Sequence, residues 1–278
     1  MCSERLKRRL AFNTAATSGA VLCTLLLSHP ASATTVVLTA DRDNTLFEQA
    51  SGALSNGSGP YGFAGVASSA RRRFLVHFSL ATVPAGAKVT AATLTLVVSR
   101  TISGSENLDA HSLLADWGEG ASNSGGTTTG GGGSGAPSST GDATWLHRFY
   151  PSIFWNQPGA DFAVATSARQ SVAGDGAYSW SSPQLTTDTQ GWVDDPTKNF
   201  GWVIVETDTQ SPKRFNAREN ADITTRPQLM ISYTPASVAA VPSTPPGTRL
   251  PLFLGLACLT LFSLTRWRSK IQLAGERM

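Results

Sequence analysis

Aromatic side chains in one part of the chain give the strongest indication of a binding chemistry. Between residues 34 and 249 every tryptophan follows residue 116, and the six are Trp117, Trp145, Trp155, Trp180, Trp192 and Trp202. An indole or phenol ring combines a flat apolar face with a polar edge, which suits stacking on a sugar ring or packing on a partner. Because Trp145, Tyr150 and Trp155 lie in an irregular stretch, we predict that they form an exposed ligand-binding platform. The alternative is that they pack into the core.

A second group that could do chemistry is the pair of carboxylates at Asp41 and Asp43, followed by Asn44. Hard oxygen ligands of this kind suit Ca²⁺. The rest of an EF-hand loop is missing, and short Asp and Asn runs also form Asx turns. The sequence therefore gives Asp41 and Asp43 as candidate metal ligands for Ca²⁺, with a plain turn as the alternative.

Catalytic constellations are hard to find in this sequence. After residue 33 the only histidines are His77, His111 and His147, and there is no Gly-x-Ser-x-Gly elbow, no His-Glu-x-x-His motif and no phosphate-binding loop. We therefore predict a protein that is not an enzyme. A polysaccharide lyase is the less favoured alternative, and it would need a cleft in which His147 or Tyr150 lies beside an arginine.

Cysteine usage limits how the domain can be stabilised. Cys2, Cys23 and Cys258 all lie close to the termini, so residues 34–234 contain no cysteine. This excludes a disulfide and a thiolate zinc site in that region. About 200 residues are enough to bury a sizeable core without such cross-links.

The charge of the chain is unevenly distributed. The chain has 22 Lys and Arg against 19 Asp and Glu. Eight of the basic residues and two of the acidic ones lie before residue 34 or after residue 249, which leaves 14 basic against 17 acidic, a net charge of −3, over residues 34–249. The basic excess therefore belongs to the termini, and we expect no nucleic-acid partner.

The stretch from Arg71 to Val98 carries the clearest structural pattern. Phe74, Val76, Phe78 and Leu80 alternate with less apolar residues, and Ala92, Leu94, Leu96 and Val98 do the same. This period of two predicts two strands, each with one buried face. Pro84 and Gly86 between them favour a tight reversal. A second sheet must cover the buried faces.

The rest of residues 34–234 has the spacing of a β-sandwich. We predict further strands near 35–39, 108–114, 162–166, 177–180, 202–206, 213–216 and 228–233, a turn at 41–44 and one short helix at 184–193. Residues 121–141 are rich in Gly, Ser and Thr. Since such a stretch buries little apolar surface, we expect a flexible loop there.

The N-terminus has the pattern of a secretory signal. Arg5, Lys7, Arg8 and Arg9 precede an apolar stretch, and the small residues Ala31, Ser32 and Ala33 follow it. We predict a signal peptide over residues 1–33.

The C-terminus has the pattern of a membrane tether. Residues 235–249 form a Pro-rich linker, 250–265 an apolar segment and 266–278 a basic tail. At ~1.5 Å per residue the segment is short for a ~30 Å hydrocarbon core, but the basic residues after it fit the positive-inside rule. The tail resembles PEP-CTERM sorting signals, which an exosortase processes. A plain transmembrane helix with a cytoplasmic tail is the alternative.

Three ordered stretches resemble the DNRLRE-domain proteins, which are secreted bacterial modules related to a carbohydrate-binding family. They are Asp43-Asn44-Thr45-Leu46-Phe47-Glu48, the Arg-rich strand with Phe78-Ser79-Leu80 and Val83-Pro84-Ala85-Gly86-Ala87, and the closing segment with Arg218-Glu219 and Arg226-Pro227-Gln228-Leu229. Thr45 and Phe47 depart from the hexapeptide, which has arginines there. The matches frame roughly residues 36–234, nearly all of the predicted domain at 34–234, and the resemblance implies a jelly-roll fold and a glycan ligand.

Together the residues and the resemblance predict an all-β protein: an antiparallel jelly-roll β-sandwich flanked by an N-terminal signal peptide and a C-terminal transmembrane helix. We expect it to be exported to the extracellular or periplasmic face and anchored there. Its predicted function is non-catalytic binding of an extracellular polysaccharide or other envelope component. The alternative is a structural or adhesive envelope protein without a discrete ligand site.

Overall fold

The computed structural model describes residues 32–102, 104–125, 132–207 and 211–236, and in these residues the protein is all-β, as predicted. The strands are β1 (Thr34–Thr39), β2 (Arg42–Phe47), β3 (Leu54–Ser55), β4 (Tyr61–Ala67), β5 (Ala70–His77), β6 (Lys88–Thr101), β7 (Glu106–Ser112), β8 (Ala136–Pro137), β9 (His147–Phe149), β10 (Ile153–Phe154), β11 (Ala168–Val172), β12 (Gly176–Ser181), β13 (Trp202–Glu206), β14 (Lys213–Asn216) and β15 (Gln228–Thr234). One α-helix, α1 (Pro183–Asp194), and two 3₁₀ turns, Pro196–Lys198 and Ile223–Thr225, complete the described elements.

Eleven strands form one large antiparallel sheet that curls on itself. Its order is β1-β15-β6-β14-β4-β5-β13-β7-β11, with β12 also paired to β6 and β2 to β5. Strand β4 joins the two halves because it pairs with β14 through residues 61–64 and with β5 through residues 65–67. Gly65 has a φ of +112° at the point where the pairing changes, a conformation that favours glycine. The curl brings the β6 half over the β5 half in a sandwich-like arrangement.

The main core lies between these two halves. On β6 the predicted face is confirmed, since Ala92, Leu94, Leu96 and Val98 are all at most 2 % exposed. On β5 and just after it, Phe74, Val76, Phe78 and Leu80 belong to the same buried cluster. The ring of Phe74 stacks on that of Phe215 at 5.9 Å between centroids. Contacts of this kind between the halves fix how the sheet closes.

Strand β5 is buried on both faces, which differs from the prediction of one buried face per strand. Leu75, which points away from the main core, is fully buried together with Leu46 and Val203. Residues between 113 and 162 cover this outer face and form a second core. A strand covered on both sides is a near-continuous apolar run, as Phe74-Leu75-Val76 is.

Helix α1 confirms the predicted helix at 184–193. The Ser182 side chain accepts a hydrogen bond from the Leu185 N–H, and Pro183 is the first helical residue. Both are standard N-terminal signals. Leu185, Trp192 and Val193 are buried in the main core.

Two local predictions are wrong. The turn expected at 41–44 is strand β2, whose Asn44 pairs with Leu75. The strand expected at 162–166 is a single bridge between Leu113 and Phe162, and the strand itself is β11. The described parts of the loop expected at 121–141 make long-range contacts: the Ser58 N–H donates to the Ser122 carbonyl, and β8 pairs with β3. In each case long-range pairing decides the local conformation.

The predicted terminal segments lie almost wholly outside the described residues. The structure describes only residues 32 and 33 of the predicted signal peptide and 235 and 236 of the predicted linker. Among the described residues, no helix has the length and apolar character needed to span a membrane.

Candidate functional site

The tryptophans predicted to bind ligand are core residues. All six tryptophans between residues 34 and 249 are at most 7 % exposed, including Trp145 and Trp155. The Trp155 Nε1–H donates to the Thr144 carbonyl at 2.9 Å, and the Arg73 guanidinium lies 4.9 Å from the Trp145 ring centroid. Both indoles pack on the outer face of β5 in the second core. The predicted exposed platform is therefore wrong for Trp145 and Trp155.

Tyr150, the third residue of the predicted platform, packs against His147. Its half-buried ring meets the His147 ring edge-on at 5.1 Å between centroids. His147 is buried and faces the Thr144 hydroxyl at 3.0 Å. Exposed Phe154 covers the other side of the imidazole. Tyr150 thus belongs to a small packed cluster around His147.

Asp41 and Asp43 do not form the predicted joint metal site. The Asp41 carboxylate contacts His77 Nδ1 at 2.5 Å. Burial opposes ionisation of Asp41, but the hydrogen bond and charge of His77 outweigh it and hold the pKa of this carboxyl below its ordinary value. Asp43 is 1 % exposed and faces Glu119, Arg218 and Glu219 instead. The carboxylates that could hold a metal are those of Asp43, Glu119 and Glu219.

The Asp41–His77 pair does not resemble a nucleophile-activating dyad. A cleft contains Asp41, His77 and Ser79. However, His77 Nδ1 faces the Asp41 carboxylate and Nε2 lies 3.2 Å from the Asn199 carbonyl oxygen. With both ring nitrogens facing other acceptors, neither can accept a proton from the Ser79 hydroxyl.

A different cleft, which we call the basic cleft, collects cationic side chains at one end of β4, β6 and β14. Its volume is about 180 Å³. It is lined by Phe63, Ala67, Arg72, Arg100, Thr101, Ile102, Gly133, Pro212, Lys213 and Arg214. These ten residues include four cations and no carboxylate, although residues 34–249 as a whole are net acidic.

Arg100 and Arg214 are the two cations on the open side of the basic cleft. They are directly opposite each other in the antiparallel pair of β6 and β14. Arg100 is exposed, whereas Arg214 is half-buried and lies 3.8 Å above the Tyr61 ring centroid. Burial, together with the charge of Arg100, lowers the pKa of Arg214. Like charges placed directly opposite each other destabilise a sheet.

Arg72 and Lys213 form the inner part of the basic cleft. The Arg72 guanidinium donates to the carbonyls of Gly133, Ala67 and Ala70 at 2.8, 3.2 and 3.1 Å. Lys213 is fully buried, and its Nζ donates to neutral oxygens at 2.6–3.0 Å. These two cations are held in place by the fold, and the charge of Glu106 also acts on Lys213.

The basic cleft was missed by the sequence reasoning. Arg100 ends an alternating strand and Arg214 sits in a short one, and neither belongs to a basic run longer than two residues. Only the register between β6 and β14 brings them together. No pattern within either strand could have indicated that pairing.

In comparisons with known proteins, no family model matches the chain, and no curated protein matches its sequence. The resemblance to DNRLRE-domain proteins and to PEP-CTERM tails stays a prediction.

Proposed function

We propose that this chain is a non-catalytic, exported binding module of jelly-roll type, tethered at its C-terminus, whose ligand is an acidic polysaccharide of the cell envelope or extracellular matrix. The observation that carries the proposal is the cross-strand pair Arg100–Arg214 in a cleft whose described lining residues include four cations and no carboxylate. A pair of like charges costs stability, and a bound anion removes that cost.

The chemistry of the basic cleft favours a carboxylated or sulfated sugar. Guanidinium groups bind planar oxyanions through two parallel hydrogen bonds. The Arg214 guanidinium packs on the face of the Tyr61 ring, and this cation–π contact helps to fix its position. The volume of about 180 Å³ is well below the ~300–1,000 Å³ of pockets that enclose a drug-sized ligand. The cleft would therefore take one charged sugar unit of a longer chain.

The sequence features support the same proposal. The predicted signal peptide and anchor would place the module outside the cytoplasm, and the resemblance to DNRLRE-domain proteins implies a glycan ligand. Neither His147 nor Tyr150, the two candidate bases for a lyase, lines the basic cleft, and the tyrosine next to it, Tyr61, packs its ring face against Arg214. The enzyme alternative therefore has less support than binding.

A structural or adhesive envelope protein is the second candidate. The observation that favours it is the burial of Trp145 and Trp155, because it removes the aromatic platform on which a neutral sugar would stack. The two candidates differ in whether the purified protein binds a soluble glycan.

The test is binding of the full-length protein to alginate and polygalacturonate, with dextran as the neutral glycan, by affinity electrophoresis and calorimetry. We expect binding to the two acidic polymers only, weakening as salt is added. Arg100→Gln and Arg214→Gln should each weaken binding about tenfold or more, because each removes charge-assisted hydrogen bonds worth ~1.5–3 kcal/mol.

Lys88→Gln is the matched control, since Lys88 is exposed at the opposite end of the same strand as Arg100. It removes the same charge and should leave binding unchanged. Equal losses in the lysine and arginine variants would indicate non-specific attraction. Absence of binding to any acidic polymer would favour the structural protein.

A further inference from the structure

Three carboxylates from separate parts of the chain come together beside β2, next to the second core. Asp43 lies on β2, Glu119 lies between β7 and β8, and Glu219 lies between β14 and β15. One oxygen of each lies within 4.8 Å of the others. Asp43 is 1 % exposed, and the two glutamates are half-buried. None of these three residues lines the basic cleft.

Main-chain contacts hold this cluster in place. The Asp43 N–H donates to Glu119 Oε1 at 2.9 Å, and the Arg218 N–H donates to Asp43 Oδ2 at 2.6 Å. The Asn44 side-chain amide donates to the Glu119 carbonyl at 2.7 Å. Gly57 packs so tightly here that a Cβ would come within 1.6 Å of that carbonyl oxygen. Hydrogen bonds from the main chain therefore fix the positions of the Asp43 and Glu119 carboxylates.

Some of the carboxylate oxygens have no hydrogen-bond donor. In the described part of the chain, neither Asp43 Oδ1 nor either carboxylate oxygen of Glu219 accepts a hydrogen bond, although Glu219 Oε1 forms an ion pair with the Arg218 guanidinium. A buried carboxylate oxygen that has lost water without gaining a partner is costly. For Asp43 the cost is greatest, since its side chain is almost completely removed from solvent. These atoms point to a positively charged ligand at the centre of the cluster.

The charges of the surrounding residues do not balance the three carboxylates. The Arg218 guanidinium donates to both oxygens of Glu119 at 2.9 Å and forms an ion pair with Glu219. The charge of Arg226 acts on Glu219 from farther away. Two guanidinium groups therefore act on three carboxylates.

We infer that this cluster binds one hard divalent cation, Ca²⁺, through Asp43 Oδ1 and the carboxylates of Glu219 and Glu119. A donor set made only of oxygen atoms suits Ca²⁺ or Mg²⁺ and not the softer transition metals. Ca²⁺ accepts six to eight oxygens in irregular geometry, so three carboxylates from three segments plus water can satisfy it. Mg²⁺ demands a near-ideal octahedron, which such a set provides less readily.

The test uses the full-length protein after treatment with EDTA and desalting. Equilibrium dialysis should give one Ca²⁺ per chain, and CaCl₂ should raise the melting temperature saturably, beyond NaCl or MgCl₂ at equal ionic strength. Glu219→Gln breaks no hydrogen bond between described residues, only the ion pair to Arg218. It should weaken Ca²⁺ binding about tenfold or more, because ligand charge sets affinity. Asp43→Asn should do the same.

Asp41→Asn is the control, since it makes the same chemical change two residues away on a side chain that faces His77. It should keep both the bound Ca²⁺ and the melting shift. Absence of bound Ca²⁺, or a melting shift equal in wild type and Glu219→Gln, would overturn the inference. So would stabilisation by Mg²⁺ alone. If the Asn and Gln variants melt higher than a wild type that binds no Ca²⁺, the cluster is neutralised by a proton.

Discussion

At the scale of single residues, the indole nitrogens show that these tryptophans belong in the core. The Nε1–H groups of Trp117, Trp155 and Trp180 donate to the carbonyls of Phe200, Thr144 and Leu108 at 2.8–2.9 Å. A buried tryptophan usually gains such a partner, although Trp202 Nε1 has none among the described residues, whereas a tryptophan that stacks on a ligand keeps its polar edge in water. The burial of these side chains therefore contributes to stability.

Replacing Trp145 or Trp155 by Ala should cost ~3–5 kcal/mol of unfolding free energy, because each change empties a large buried volume. The measurement is urea denaturation of each variant. Phe78→Ala is the reference core variant, since Phe78 is 1 % exposed, and it should lose a similar amount. Tyr150→Ala should lose less, because its ring is only half-buried. A Trp145→Ala protein as stable as wild type would contradict the burial of this side chain.

His147 should make stability depend on pH. Burial lowers the pKa of its imidazole, outweighing the opposing contact with the Gly52 backbone. A histidine whose folded pKa is depressed contributes stability above its unfolded value of about 6.5, and that stability is lost as the pH falls toward the folded pKa. Wild type should therefore lose more stability than His147→Gln between about pH 7 and pH 5.

Urea midpoints of both proteins at the two pH values measure this difference. The contributions of His77 and His111 are common to both proteins and cancel. Parallel losses in wild type and variant would show that His147 is not responsible.

At the scale of elements, the segment between β7 and β11 acts as a cover for the outer face of β5. It contains little regular structure, yet it supplies Trp117, Trp145 and Trp155 to the second core. Buried Asp142 ties its Gly-rich part together: its carboxylate accepts from the N–H groups of Ser139 and Ser122 at 2.6 and 3.3 Å. The Asp142 carboxylate thus adds to the main-chain contacts that hold the described parts of this stretch.

Asp142→Ala should destabilise the protein by ~1–3 kcal/mol, because it leaves two main-chain N–H groups without their acceptor. Limited proteolysis should then cut faster within residues 121–141, since those contacts restrain them. Asp175→Ala, at an exposed site, should change neither stability nor cleavage. Unchanged proteolysis of Asp142→Ala would mean that the segment is restrained by other contacts.

At the scale of the whole molecule, the first and last described strands in chain order, β1 and β15, pair with each other. In β1 and β15, Thr34 is opposite Tyr233 and Thr39 is opposite Gln228. Strand β1 begins at Thr34 and strand β15 ends at Thr234. The cysteines of the chain all lie outside these limits.

We expect residues 34–234 expressed alone to fold into a soluble β domain whose melting temperature does not respond to reductant. All eleven strands of the large sheet lie within this range, so burial alone must stabilise it. Far-UV circular dichroism and thermal melts with and without dithiothreitol test this. A helix-dominated spectrum, or a melting temperature that falls in reductant, would contradict it.

The sequence by itself determined the parts of the fold that local patterns encode. Alternation in Phe74–Leu80 and Ala92–Val98 predicted β5, β6 and the face of each strand that lies in the main core, and the helix predicted at 184–193 is α1. It also predicted the all-β class. These succeeded because a strand's faces and a helix's cap depend on neighbours a few residues away.

Only the tertiary structure decided which side chains meet. Trp145 and Trp155 are buried because the outer face of β5 is itself apolar and requires a cover. Arg100 meets Arg214 through the pairing of β6 with β14. Asp43 meets Glu119 and Glu219 because the segments that follow β7 and β14 approach β2. Periodicity assigns a residue to a face, but register and the approach of distant segments assign its partner. For this reason, neither proposed site could be identified from the sequence alone.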